Sequence, residues 1–539
     1  MIPIRIFLDP ARVALGGAIT IAVSLLNAAP SFAAEQVTLR FGPFEQAIKV
    51  SEIETYAKTG QLSPSLQLFS PFLTPDVRKG LNAKLDLDPK RSGEIVGNLL
   101  RSPAGQQLMS QVQGAAPGLT PEMVQVGVSL AAKQFGGVDA IGVIKAIPTP
   151  NLTIDLSEAA ALGSKINLSY WKSQALGTLL EKSLVVEGET ANFNSAIDPS
   201  APGSIAVQRL SYDLVDSARN DRPLPVDVFL SRQPQPQAPT VIISPGFEAS
   251  RSFIAYLGQH FASHGIHAIV VEHPSVLNVF RLAALDLEKL LPAQELIDRP
   301  KDLQFVMQAL DREPELKGKL NLNQWVIAGH SMGGYDALAL AGGELQLDEL
   351  RQFCNRSRLM TRSPADWLQC SGKMIKERTL NLRDQRVVGA IALNPVAGKI
   401  FGTSGLSKVQ TPVLMLTSTD DGLTPTFDQQ LQPFLQITQP KYLLTAIGAT
   451  HLSVSDRISS RSDRTLVKER TGQEMEPLRA AVRGSSLAFV KQFTPEAETY
   501  KPFLSAGYMQ ARSTSEIPLR LNTSLPTSIT RLLNLAGMF

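Results

Sequence analysis

The chain of 539 residues reads as an α/β protein, a mostly parallel sheet flanked by helices, with a separate helical region ahead of it. Three observations predict this. From about residue 204, short apolar and β-branched runs alternate with helical stretches. The turn Gly329-His330-Ser331-Met332-Gly333 joins one such run to a helix-like stretch. Before residue 186 those runs are missing, and apolar residues recur at three- and four-residue spacing instead.

At the N-terminus, Arg5 and Arg12 precede an uncharged run from Val13 to Leu26, and Ser31 and Ala33 stand at small-residue positions before Ala34. A basic start, an apolar middle and small residues at −3 and −1 describe a secretory signal peptide over 1–33, cut after Ala33. The alternative is an uncleaved anchor, but an uncharged run of 14 residues is short for a bilayer span, which takes about 20. Export to a periplasm, a thylakoid lumen or the medium follows. The mature chain should carry no transmembrane segment.

Residues 34–185 read as a helical domain of unknown function, with helices over Ser51–Thr59, Arg91–Leu100 and Pro121–Phe135. This stretch has no His or Cys and no visible catalytic constellation. Shielding an active-site mouth or binding a protein partner are the roles left to it. Residues 186–203 are polar and rich in Pro, Gly, Asn and Ser, as a linker would be. The unit at 204–500 then opens on a strand pair, Ile205–Leu214 and Val226–Leu230. Buried parallel strands follow at Thr240–Ser244, His267–Glu272, Gln324–Ala328, Val387–Leu393, Pro412–Thr417 and Lys441–Ile447. Residues 342–386 interrupt the rhythm as an insertion over the C-terminal edge of the sheet, and 501–539 form a tail.

Composition excludes some functions. An apolar share of 43% with 19% charged residues is globular. A net charge of +3 without a Lys/Arg block gives no reason to expect nucleic acid or an anionic membrane as partner. The only cysteines, Cys354 and Cys370, are 16 apart; in an exported chain they suggest one disulfide, the alternative being two buried thiols.

The chemistry gathers around Ser331. G-x-S-x-G between a strand and a helix is the context of a nucleophile elbow, where residues larger than Gly329 and Gly333 would clash. A serine hydroxyl needs a base, and the order in such folds is Ser, acid, His. His451 is the only histidine after Ser331. The acid should end the preceding strand, in Ser418-Thr419-Asp420-Asp421-Gly422. Asp421 is preferred, with Asp420 as a turn residue. Two backbone N–H groups should hold the oxyanion, one from Met332 and one from Phe247 in the loop after the first parallel strand. His260, His264 and His267 imitate a metal-ligand spacing, but Gly265 should end the helix between them, and no metal or organic cofactor is expected. His273 ends a strand and could line the pocket or, as a weaker alternative, serve as the base. His330 should pack beside the sheet.

At these residues the chain resembles the α/β-hydrolase family, on the branch of platelet-activating-factor acetylhydrolases and dienelactone hydrolase-like proteins. The carrying segments are Ile243–Gly246, Phe261–Ile266, Val271–Pro274, Arg299-Pro300-Lys301-Asp302, Gly329–Gly334 and Ala449–His451. The stretches 57–60 (AKTG) and 101–108 (RSPAGQQL) resemble an uncharacterised helical domain found ahead of cyanobacterial α/β-hydrolases. Two departures stand out. The branch's Ser-His-Gly is Ser244-Pro245-Gly246 here, and the acetylhydrolases' acid position holds Asn394. The resemblance implies hydrolysis of a small-molecule or lipid ester through an acyl-enzyme. A peptidase, an acyltransferase or a non-catalytic scaffold keeping the fold are the alternatives.

Overall fold

The computed structural model describes residues 34–536 apart from 42–43, 71, 74, 83–96, 98–99, 101–102, 135–137, 157, 160–176, 178, 188–192, 195, 276–290, 358–361 and 456–468. The expected signal peptide, 1–33, and nearly all of the expected helix Arg91–Leu100 lie outside the described residues. The chain divides into two compact units, Met1–Ser164 and Lys165–Phe539.

The first unit is not purely helical, which corrects the sequence reading. Strands β1 (Gln36–Phe41), β2 (Phe44–Lys49) and β3 (Asn151–Asp155) form a three-stranded sheet in the order β2-β1-β3. β1 alternates, with Val37 and Leu39 buried and Thr38 and Arg40 outward, as a half-buried strand must. The two helices expected nearby are present: α1 (Val50–Thr59), closed by Gly60 at φ 80°, and α2 (Pro121–Gln134). Left-handed Gly60 lets its N–H bond the Tyr56 carbonyl and end α1 there.

The second unit is built on a nine-stranded sheet, ordered β14-β13-β12-β11-β8-β6-β7-β5-β4. The antiparallel pair β4 (Val207–Asp216) and β5 (Arg222–Ser231) forms one edge, as expected. Next in the chain come β6 (Thr240–Ser244), helix α3 (Ala255–Ser263) and β7 (Ala268–Val271). Helix α4 (Glu295–Leu310), β8 (Trp325–His330) and α5 (Met332–Leu340) follow. β11 (Val387–Leu393), β12 (Val413–Ser418) and β13 (Lys441–Ala446) complete the parallel core. β6 and β8 are buried at every residue, because helices cover both faces of the sheet. Helix α5 is buried all round, beneath the loops that end the strands.

The insertion after α5 holds a two-stranded sheet, β9 (Glu344–Gln346) with β10 (Thr379–Asn381), and helices α6 (Leu347–Arg356) and α7 (Pro364–Cys370). A disulfide joins Cys354 on α6 to Cys370 on α7. Gln369 accepts from the Lys399 and Ile400 N–H groups, and Ala365 N–H donates to the Leu423 carbonyl at 3.1 Å. The insertion therefore bonds the loops that follow β11 and β12.

Two segments differ from expectation. The stretch read as a C-terminal tail contributes β14 (Leu519–Asn522), which pairs antiparallel with β13 and closes the far edge of the sheet. Within the stretch read as a linker, Phe193 packs on Phe503 and Tyr508, and His260 and Arg483 bond the carbonyls of Pro199 and Ser200. Phe193, Pro199 and Ser200 are thus held against the unit and do not hang on a free tether. Among the described residues, no helix is long and apolar enough to cross a membrane.

Candidate active site

Ser331 lies between β8 and α5 at φ 57° and ψ −117°, a strained conformation for a non-glycine residue. Crowding explains the flanking glycines. A Cβ on Gly329 would stand 2.1 Å from the Gly333 carbonyl oxygen, and one on Gly333 would stand 1.9 Å from that of Ser244. The backbone is pinned on both sides, with Ser331 N–H on the Leu393 carbonyl (2.9 Å) and Val396 N–H on the Ser331 carbonyl (3.1 Å).

His451 follows β13 and is buried. Its Nδ1–H donates to Asp421 Oδ2 at 2.7 Å. Asp421 is fully buried and its other oxygen accepts from the N–H groups of Leu423 (2.9 Å) and Thr424 (2.7 Å), while Thr424 Oγ1 donates to Oδ2 at 2.7 Å. Burial pushes the His451 imidazole down, but the Asp421 carboxylate outweighs it and holds the pKa above 6.5. The ring faces His330, centroids 4.5 Å apart, which places it beside the residue preceding Ser331.

Asp420 is turned elsewhere, its carboxylate accepting from Thr419 Oγ1 at 3.0 Å. Asn394 sits at φ 43° with its amide donating to Ser418 Oγ at 3.1 Å, so it braces the loops and does not take the place beside His451 Nδ1.

Phe247 directly follows Gly246 in the loop after β6. A Cβ on Gly246 would come within 3.2 Å of Ser331 Cβ, so this loop passes over the nucleophile position. Met332 opens α5, and the first N–H groups of a helix have no partner within it. Both oxyanion candidates thus border Ser331.

His330 was expected beside the sheet; it is buried between Phe253 and His451, and its Nε2–H donates to the His451 carbonyl at 2.9 Å. Burial and the neighbouring His451 hold it well below the ordinary histidine value, so it stays neutral. His260 and His264 bond the carbonyls of Pro199 and Ala201 (3.0 Å each), and His267 Nδ1 accepts from Ser231 N–H. Each of the three is occupied with backbone. Among the described residues no three His, Cys, Asp or Glu side chains gather as metal ligands.

Sequence reasoning missed a buried ionic network behind the β6 loop. His273 has both ring nitrogens on other partners, which sets it outside the base role: its Nδ1–H donates to Asp302 (2.8 Å) and its Nε2 meets Ser244 Oγ (2.9 Å). Burial holds the His273 ring below 6.5, and though burial favours a protonated Asp302, His273 and Arg222 hold that carboxylate at about 2. Arg299 pairs with Asp336, the one charge on α5. That lone charge in an otherwise uncharged helix was the signal available. Glu469 was also missed. Its Oε2 accepts from Leu452 N–H at 2.9 Å, next to His451, and burial raises it above 4.5.

A family model described as "Alpha/beta hydrolase of unknown function (DUF1400)" matches residues 33–155. That span lies in the first unit and does not include Ser331, Asp421 or His451. No curated protein matches the chain. The matched description names an alpha/beta hydrolase, and the second unit's large, mostly parallel sheet between helices is consistent with the fold expected from the sequence.

Proposed function

We propose that the protein is an exported serine hydrolase that cleaves carboxylic esters, of lipid or other small acyl type, through an acyl-enzyme on Ser331. Ser331 Oγ attacks the ester carbonyl while His451 Nε2 takes its proton. His451 then gives that proton to the leaving alcohol. Water, deprotonated by the same nitrogen, hydrolyses the acyl-enzyme and returns the serine. Asp421 holds His451 in the tautomer with Nε2 free to accept and stabilises the imidazolium that forms. The N–H groups of Met332 and Phe247 receive the oxyanion.

One observation carries this reading: the 2.7 Å bond from His451 Nδ1 to a fully buried Asp421, in a loop beside an elbow serine at positive φ. Export is supported by the disulfide between Cys354 and Cys370, since such bridges persist in oxidising compartments.

The test is covalent labelling with a fluorophosphonate probe, followed by a panel of acyl esters of varied chain length. Wild-type protein should be labelled on Ser331 and turn over at least one ester, and Ser331→Ala should do neither. A folded wild type that takes no label points to a scaffold. Labelling with turnover of amides alone points to a peptidase.

A further inference from the structure

We infer that Arg299 and Asp336 are positioning residues that set the spacing between the two oxyanion donors, an inference that rests on the ester-hydrolase reading above. The donors belong to different elements. Phe247 is in the loop after β6, and Met332 is the first residue of α5. Something must hold loop and helix in register, because donors aimed at a developing charge act only within tenths of an ångström of their place.

One guanidinium spans both elements. Arg299, on α4, donates from Nε and Nη2 to Asp336 Oδ2 on α5 (3.2 and 3.0 Å). The same Nη2 donates to the Pro245 carbonyl at 2.7 Å. Ser244 Oγ adds a second tie, reaching Asp336 Oδ2 at 2.7 Å. Behind them His273 links Ser244 to Asp302, which Arg222 and Arg219 hold from the strand side.

The clamped atom is well chosen. Pro245 has no N–H, so its carbonyl is the one backbone group by which that residue can be held. The Pro245–Gly246 bond is trans, so fixing this carbonyl points the Gly246 N–H the opposite way and sets the peptide plane on one side of Gly246; the plane on its other side carries the Phe247 N–H. Gly246, lacking a Cβ, would otherwise turn freely. Arg299, Asp336 and Ser244 are all buried and bonded to one another, so their effect runs through the loop and helix they join.

A purely structural role predicts lower thermal stability with normal turnover in the folded fraction. A positioning role predicts a loss in kcat with little change in KM, because the donors matter most in the transition state. The experiment compares wild type, Arg299→Lys and the double variant Arg299→Gln/Asp336→Asn on a p-nitrophenyl ester, with folding followed by circular dichroism. Lysine keeps the charge but loses the fork that bridges two acceptors. The double variant leaves no buried charge unpaired, so it gives a readout even where a single change fails to fold. Both should lose about 10²-fold in kcat, the scale of one oxyanion donor, with KM within about threefold of wild type. A folded variant with near-normal kcat, or with its loss confined to KM, would overturn the inference while leaving the hydrolase reading intact. A wild type that neither turns over an ester nor takes a fluorophosphonate on Ser331 would overturn both.

Discussion

Asp421→Asn tests the arrangement around His451 most sharply, because the surrounding donors dictate how the new amide must sit. Oδ1 of Asp421 accepts from two backbone N–H groups, of Leu423 and Thr424. An asparagine must place its carbonyl oxygen there, since an NH2 would meet two donors. Its NH2 is then left facing His451 Nδ1, in the position of the Oδ2 that now accepts at 2.7 Å. The imidazole would have to accept at Nδ1 and carry its proton on Nε2, the nitrogen that should take the Ser331 proton. The same change in a serine protease lowers turnover about 10⁴-fold through this wrong tautomer. A loss of that size corresponds to ~5.5 kcal/mol at about 1.36 kcal/mol per decade. Asp420→Asn should cost less than about threefold, since that carboxylate accepts from Thr419 Oγ1 in a turn and the place beside His451 Nδ1 is filled by Asp421. The assay is kcat on an ester that wild type cleaves, with near-ultraviolet circular dichroism as a folding control. A folded Asp421→Asn retaining a tenth of wild-type turnover would refute the reasoning, and an inactive Asp420→Asn would move the acid by one residue.

Two further outcomes follow from the site and its insertion. Because Asp421 holds the His451 pKa above 6.5, the acid limb of the kcat/KM profile should have its midpoint above 6.5; a midpoint of 6 or lower would contradict the pairing. The sign for stability is opposite: a raised histidine contributes fully below the unfolded value of 6.5, and that contribution is lost as pH rises through the folded value. Replacing Cys354 and Cys370 by serine should lower the thermal midpoint, since closing a loop of this length restrains the unfolded chain by roughly 3 kcal/mol in the entropy model. Turnover should fall as well, because the stapled helix α7 holds the Leu423 carbonyl beside Asp421. A melting curve indifferent to the substitution would end that account.

Much of the large sheet was legible because buried parallel strands have nothing polar to alternate with. Thr240–Ser244 and Val387–Leu393 are strands with the bounds read from sequence. What failed were elements defined by distant partners. β1 pairs with β3 across more than a hundred residues, a partner that the six residues QVTLRF do not announce by themselves. β14 is four residues long and is a strand because the edge of β13 lies open beside it.

Around the catalytic center candidates, local motifs were the readable part. G-x-S-x-G is forced by the backbone crowding at Gly329 and Gly333. Asp421 was selected by strand-end logic, and the structure brings its carboxylate to His451. Beyond the lone charge of Asp336 itself, its pairing with Arg299 was not legible, because it joins two helices at positions whose meeting depends on how they pack. Nor was Glu469, which reaches the His451 loop from well beyond it in the chain.

The placement of β14 also has a bearing on the order of events during synthesis. Ser331, Asp421 and His451 are all translated before residues 519–522. Until that segment arrives, β13 presents an unpaired row of N–H and C=O groups, and β13 is the strand that leads into the loop carrying His451. A nascent chain at that stage has all its reactive side chains and an open strand edge, the condition under which chains pair with one another instead of with themselves. The late strand is therefore a seal as well as a neighbour.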